Sequence, residues 1–401
     1  MFQIKINRTV KLNEVDELYK QLYQHIKLDV PVNILLPTKL ESGYLGIVPT
    51  LYQFVFTWMR YPRSGKLLID IKDPSQLDLD ELYENELIFP LVSMVWNTNE
   101  VFNYNGKINL RPILKEKNVQ YFNQMKAVLP QKNRKLLLTH FDHLPEERGI
   151  LPCFELKGKF VANEANLSDN LIDAFHGILA LSLTAKRTLG HVIDPVLGII
   201  YELMKNTFEW ASANEAGVPL DPNVRGLLVK FYNKTRKKLL DEFQYHKGLT
   251  DYFSSPILDE NSTAGIYLLE IDVFDSGIGF ARKYKSLNPS GLMSDVDIIK
   301  KCMIKHNTSA RGLEKDNKGI GLDRILTLLN GKGFLRIKTG QNCIYRNLIS
   351  TPYKKLTKDS IVEMELLDWK NNSNKAYTIY PEAEGAVITI IYPLSYTLTN
   401  E

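Results

Sequence analysis

Residues 194–211 read DPVLGIIYELMKNTFEWA, and the rest of the chain is organised around this stretch. Aspartate followed by proline suits a helix start: the Asp194 carboxylate can cap free N–H groups, and Pro195 is tolerated at the first helical position. Val196, Ile199, Ile200, Leu203, Met204, Thr207, Phe208 and Ala211 then recur at helical spacing, which predicts one broad buried face. Glu202, Asn206 and Glu209 follow one another at spacings of four and three, so they share a stripe beside that face. An acid and an amide stacked at the edge of a buried helix suit a hydrated cation. Taken alone, the stretch is an ordinary amphipathic helix with polar flanks.

Two glycine turns downstream change that reading. Residues 266–274 alternate like a strand and end in Asp275-Ser276-Gly277-Ile278-Gly279. Lys318-Gly319-Ile320-Gly321-Leu322 opens a second helical pattern, continued by Ile325, Leu326 and Leu329. Glycines at a helix entrance let backbone N–H groups approach an anion and add the helix dipole. Glu-x-x-x-Asn on a helix, Asp-x-Gly-x-Gly after a strand, and Gly-x-Gly-Leu before a helix occur here in that order. A long gap separates the last two. Together they resemble the GHKL ATPase superfamily of gyrase-type topoisomerases, ninety-kilodalton heat-shock chaperones, histidine kinases and mismatch-repair ATPases. The resemblance covers residues 165–395 and implies a Bergerat-type α/β sandwich, a mixed sheet covered by helices, that binds ATP and Mg2+.

The resemblance also implies roles. Asn206 completes the shell of a magnesium ion, which keeps few protein ligands. Glu202, one turn earlier, orients and deprotonates the attacking water, with Glu209 as a partner. Asp275 accepts a hydrogen bond from the adenine amino group, while Gly277 and Gly279 let the chain pass close to the base. Gly319, Gly321 and Leu322 bring backbone N–H groups to the phosphates, with Lys318 nearby. Residues 281–317 form a lid: a helix capped by Ser294, then a polar, glycine-containing stretch from which Arg311 and Lys315 reach phosphate or remain solvated. One position departs from the family pattern. Ala386 follows Gly385 where relatives carry a threonine bonded to the adenine-site carboxylate, so either Thr389 or Ser276 substitutes or adenine is held less tightly.

Residues 1–150 alternate between strand and helix patterns, with strands at 2–6, 32–36, 66–71 and 135–140. Helices are expected at 12–26, 44–59, 78–96 and 111–129. A layered α/β domain with some parallel pairing follows, and the order around 32–71 resembles the STAS domain of anti-sigma-factor antagonists. Residues 151–170 read as a linker, and 171–395 as the ATP-binding domain. Residues 171–189 predict one helix, apolar on most sides, that needs a surface to cover it, from the amino-terminal domain or a second subunit. His140, Asp142, His143, Glu146 and Glu147 fit a solvated loop better than a metal cluster. The insert at 212–264 carries Lys230, Lys234, Arg236, Lys237 and Lys238 among Phe231 and Tyr232. Because Asp241 and Glu242 follow, a solvated helix face is expected rather than a nucleic-acid surface.

The sequence of 401 residues has 44% hydrophobic and 24% charged residues and a net charge of +4, an ordinary globular balance that gives nucleic acid no support. Three cysteines in no metal spacing, no apolar run of the roughly 18–20 residues that cross a bilayer, and no signal-peptide layout lead us to expect a cytoplasmic protein. The expected function is slow ATP hydrolysis with lid closure coupled to assembly or signalling, as a homo-oligomer or with a protein partner engaged through residues 1–190. The alternatives are a serine or histidine protein kinase and a nucleotide sensor without turnover. His191 lies too close to Asp194 to reach its own site, and His176 lacks a phosphoacceptor's neighbours, which disfavours self-phosphorylation on histidine.

Overall fold

The computed structural model describes residues 2–41, 43–179, 182–289, 293–303, 321–354 and 364–394. Its amino-terminal part is a βα alternation: β1 (Phe2–Lys5), α1 (Leu12–Lys27), β2 (Val32–Leu36), α2 (Ile47–Met59), β3 (Ser64–Ile69) and, after α3 (Leu79–Leu82) and α4 (Ile88–Met94), β4 (Val101–Asn103). These strands pair in parallel in the order β1-β2-β3-β4. The continuous helix expected at 78–96 is broken in two. Asp78 caps α3 by accepting from the N–H groups of Asp80 and Glu81, and the chain turns at Asn85 before α4. After α5 (Arg111–Lys126) comes β5 (Lys135–Phe141), and this strand leaves the parallel sheet altogether.

β5 is the edge of a seven-stranded sheet in the order β12-β11-β10-β13-β9-β8-β5. Its members are β8 (Val224–Thr235), β9 (Gly265–Asp275), β10 (Phe334–Thr339), β11 (Asn342–Asn347), β12 (Leu367–Asp368) and β13 (Ala386–Pro393), and every pairing is antiparallel. The fold is α/β, as expected, but this sheet is not mixed. The division at residue 150 also does not follow the hydrogen bonding, because Lys135–Phe141 pairs with β8 across it. The span expected as a linker follows α6 (Glu146–Gly149) and holds the hairpin β6 (Glu155–Leu156) and β7 (Lys159–Phe160).

One face of the large sheet carries α9 (Ile193–Trp210), which lies on β8 and β9 and is flanked by α7 (Glu164–Ile178) and α14 (Gly321–Leu329). Helix α9 begins at Ile193, so Asp194 sits inside its first turn rather than capping it. The single helix expected at 171–189 is two, α7 and α8 (Leu183–Gly190). Ser182 caps the second through its hydroxyl, and Leu171, Phe175 and Ile178 are buried within the chain against α9 and β5.

The opposite face is covered by α2, buried along nearly its whole length. Its other side meets the parallel sheet, where Trp58 Nε1 donates to the Val32 carbonyl at 2.7 Å. Glu270 of β9 closes its amino end. The carboxylate accepts from the N–H groups of Leu45 (2.7 Å) and Gly46 (2.9 Å), satisfying donors a helix start leaves free. The first half of the insert's basic-aromatic run is strand rather than helix, and Lys230, Tyr232 and Lys234 alternate onto the same face as α2. Lys230, on β8, is buried, donates to the Gly43 carbonyl at 2.6 Å and pairs with Glu86 at 3.1 Å. Beyond it, Arg236 opens α10 (Arg236–Phe243), is bonded to Glu260, and is followed by α11 (Lys247–Phe253). The remaining helices, α12 (Phe280–Leu287) and α13 (Asp295–Cys302), follow β9, and Ser294 caps α13 as its sequence suggests. Among the described residues no helix is long and apolar enough to cross a membrane, and Cys153, Cys302 and Cys343 are free thiols.

Candidate functional site

Residues paired across antiparallel strands point to the same face. Register therefore places one row of side chains, His140, Arg225, Asp275, Ala386 and Thr339, across five strands on the face that carries α9. Asp275 is its centre. The carboxylate is 9% exposed and accepts from the Gly277 N–H at 2.9 Å. Burial pushes its pKa up to about 7, although the N–H groups of Gly277 and Ala386 and the charge of Arg225 pull the other way.

The turn after Asp275 is built tightly against its surroundings. A Cβ on Gly277 would stand 2.8 Å from the Ala211 Cα, so this glycine lets the turn touch the end of α9. Gly279 has φ +77°, and a Cβ there would meet the Thr339 hydroxyl at 2.5 Å. Thr339 accepts from the Phe280 N–H at 3.1 Å and donates to the Gly385 carbonyl at 3.2 Å. Gly385 in turn donates its N–H to the Gly277 carbonyl at 2.5 Å. Two glycine turns are thus tied to each other beside one buried acid.

On α9, Glu202 and Asn206 are both half-buried. Burial raises the Glu202 pKa. Lys205 and Arg324 oppose that shift, and the negative charges of Glu164 and Glu209 add to it. Asn206 makes no hydrogen bond among the described residues. One turn before Glu202, the side of α9 is bare at Gly198, where a Cβ would crowd the Glu164–Arg324 ion pair. That pair is two-pronged, 2.7 and 3.0 Å, and fastens α14 to α7 across α9. Gly321 and Leu322 open α14. Arg311, Lys315, Lys318 and Gly319 lie outside the described residues.

Thr389 does not substitute for the missing threonine. It stands three residues from Ala386 on one strand, and an odd step reverses the face. Its hydroxyl donates to Asp272 at 2.6 Å, on the α2 side of the sheet. Ser276 is likewise taken: it accepts from the Val224 N–H at 2.8 Å and donates to Asn223 at 2.9 Å. The hydroxyl that bonds main chain at both glycine turns belongs to Thr339, a residue without a local motif around it. Its signal was its pairing with Ala386, visible only once register is known.

Arg225 was also missed, because the strand holding it was read as part of an insert. Its guanidinium pairs with Asp142 at 2.8 Å and Glu155 at 2.5 Å, and lies 5.1 Å from the Phe208 ring centre. His140, Asp142 and Glu155 bring potential ligand atoms within 4.8 Å of one another. Both carboxylates already hold Arg225, and burial, reinforced by that charge, keeps His140 neutral with a pKa of about 3. The cluster is an arginine socket. No family model matches the chain, and no curated protein or solved structure matches it either.

Proposed function

We propose that this chain binds Mg-ATP and hydrolyses it slowly. The observation that carries the reading is the contact between two of its motifs. The turn after Asp275 touches the end of the helix bearing Glu202 and Asn206, with one carboxyl raised by burial on each element. Perturbed acids on converging elements mark sites of chemistry more often than of mere support. The residues fit the ligand. Asp275 is a buried acceptor for an exocyclic amino group, beside turns at Gly277 and Gly385 that a Cβ would obstruct. The Asn206 amide oxygen, unbonded among the described residues, suits a hard cation, which would neutralise phosphate charge when bound. Burial makes Glu202 a stronger base than a free carboxylate, which suits it to take a proton from the attacking water. Arg311, Lys318, Gly319, Gly321 and Leu322 would meet the phosphates. A cytoplasmic setting, lid closure coupled to self-assembly, and a partner bound through residues 1–190 belong to the same proposal.

Incubation with γ-labelled ATP separates this reading from its rivals. The expected product is magnesium-dependent free phosphate. Labelled protein would mean a kinase, and neither product a sensor. Glu202→Gln is expected to slow phosphate release by about a hundredfold or more while ATP affinity stays within about threefold. Equal loss of binding and turnover would remove Glu202 from the role of base.

A further inference from the structure

We infer that α2, on the reverse face of the sheet, is the element that positions Asp275, and that Gln53, Thr57 and Arg60 are its positioning residues; this rests on the adenine-nucleotide reading above. These three residues follow at spacings of four and three, so they form one stripe along the helix. Every bond the stripe makes with the glycine turns goes to main chain. Gln53 Nε2 donates to the carbonyls of Gly385 at 3.3 Å and Lys338 at 3.2 Å. The Thr57 hydroxyl accepts from the Glu384 N–H at 3.0 Å. Arg60 Nη2 donates to the Ser276 carbonyl at 3.2 Å. Tyr23 of α1 adds a bond to the Glu382 carbonyl at 2.9 Å.

Such bonds fix the path of the chain and not the setting of one side chain. Ser276 directly follows Asp275, and Gly385 is closed onto the Asp275 carbonyl so tightly that no Cβ could stand there. Gly385 also bonds Gly277, whose N–H holds the Asp275 carboxylate. Movement of the stripe must therefore move the acid on the other face. Helix α2 cannot absorb that movement at its far end, because Glu270 grips Leu45 and Gly46 there. The amino-terminal layer thus sets how well the acid meets the base, and the property it governs is base selectivity.

The test compares binding of ATP with binding of inosine triphosphate, which has no amino group to offer Asp275. Gln53→Met keeps the side-chain volume and removes both donors. It is expected to weaken ATP binding about five- to tenfold, leave the inosine nucleotide unchanged, and so collapse the preference. Arg60→Met should act in the same direction, and Arg60→Lys should restore part of the preference. Thr50→Val is the control, since Thr50 lies one turn earlier on α2 and bonds Arg336 instead of the turn. Each variant is checked for a cooperative unfolding transition, and half-exposed Arg60 supplies the variant that keeps the fold if Gln53→Met does not. A preference unchanged in folded variants, or reduced as much by Thr50→Val, overturns the inference alone. A wild-type protein that binds no adenine nucleotide overturns it together with the reading it rests on.

Discussion

Asp275 carries a consequence that can be measured with a pH meter and a calorimeter. Burial holds its carboxyl at about 7, well above the unfolded value. A raised carboxyl favours the folded state below the ordinary carboxylate range, and that contribution is lost as pH rises through about 7. Ligand binding runs the opposite way, because an amino group donates best to the ionised form. ATP affinity is therefore expected to rise between pH 6 and 8, with about half a proton released per nucleotide bound at pH 7. Binding enthalpies in two buffers of different ionisation heat give that number. Asp275→Asn should weaken binding and flatten the profile, and a flat profile in the wild type would show that the carboxyl does not meet the base. This residue was legible in the sequence because an acid before two alternate glycines is a local pattern. Thr339 and Arg225 were not, since what makes them neighbours of Asp275 is strand pairing over long separations. Thr389 could have been set aside from the sequence alone: an odd step along a strand reverses the face.

Helix α2 shows the same contrast one level up. Its apolar pattern announced a helix over residues 44–59, and the helix runs Ile47–Met59. Nothing in that pattern said that its cover would be a sheet formed mostly by residues beyond 220. The clue was its lack of a polar face, which marks a helix enclosed on all sides. The cost of this arrangement falls on Glu270, which is fully buried and holds two N–H groups. Glu270→Ala leaves those donors without a partner and is expected to destabilise the fold by about 3 kcal/mol in urea denaturation, and Glu270→Gln by less. A loss under about 1 kcal/mol for the alanine variant would mean that α2 is held by its apolar contacts alone. Strand β8 was hidden for a related reason. Lys230 and Lys234 beside aromatics suggest an exposed surface, whereas Lys230 is buried and paired with the half-buried Glu86, distant in the chain. Charge in a sequence reveals solvent only when its partner is nearby in the chain.

At the scale of the whole molecule, α2 is buried between the two sheets and their apolar side chains join in one core. A fragment starting at residue 151 would lack both β5 and α2, leaving β8 with a bare edge and Phe274 and Val387 without cover. Such a fragment is expected to show no cooperative unfolding transition, while the full chain unfolds in one step by circular dichroism and tryptophan fluorescence alike. A soluble, cooperatively melting fragment would refute the shared core. The position of β13 has a consequence for synthesis as well. It lies between β9 and β10 in the middle of the sheet, yet in chain order it comes last of the described strands. At about 5–20 residues per second, a ribosome takes roughly 5–20 s to pass from the end of β9 to the start of β13. At the start of that interval the β9 edge has no partner, and by its end β10, made meanwhile, offers a second open edge that β13 has still to join. Every round of translation thus passes through an incomplete sheet with strand edges open to mispairing, and a stop codon just ahead of residue 386 would leave that seam open for good.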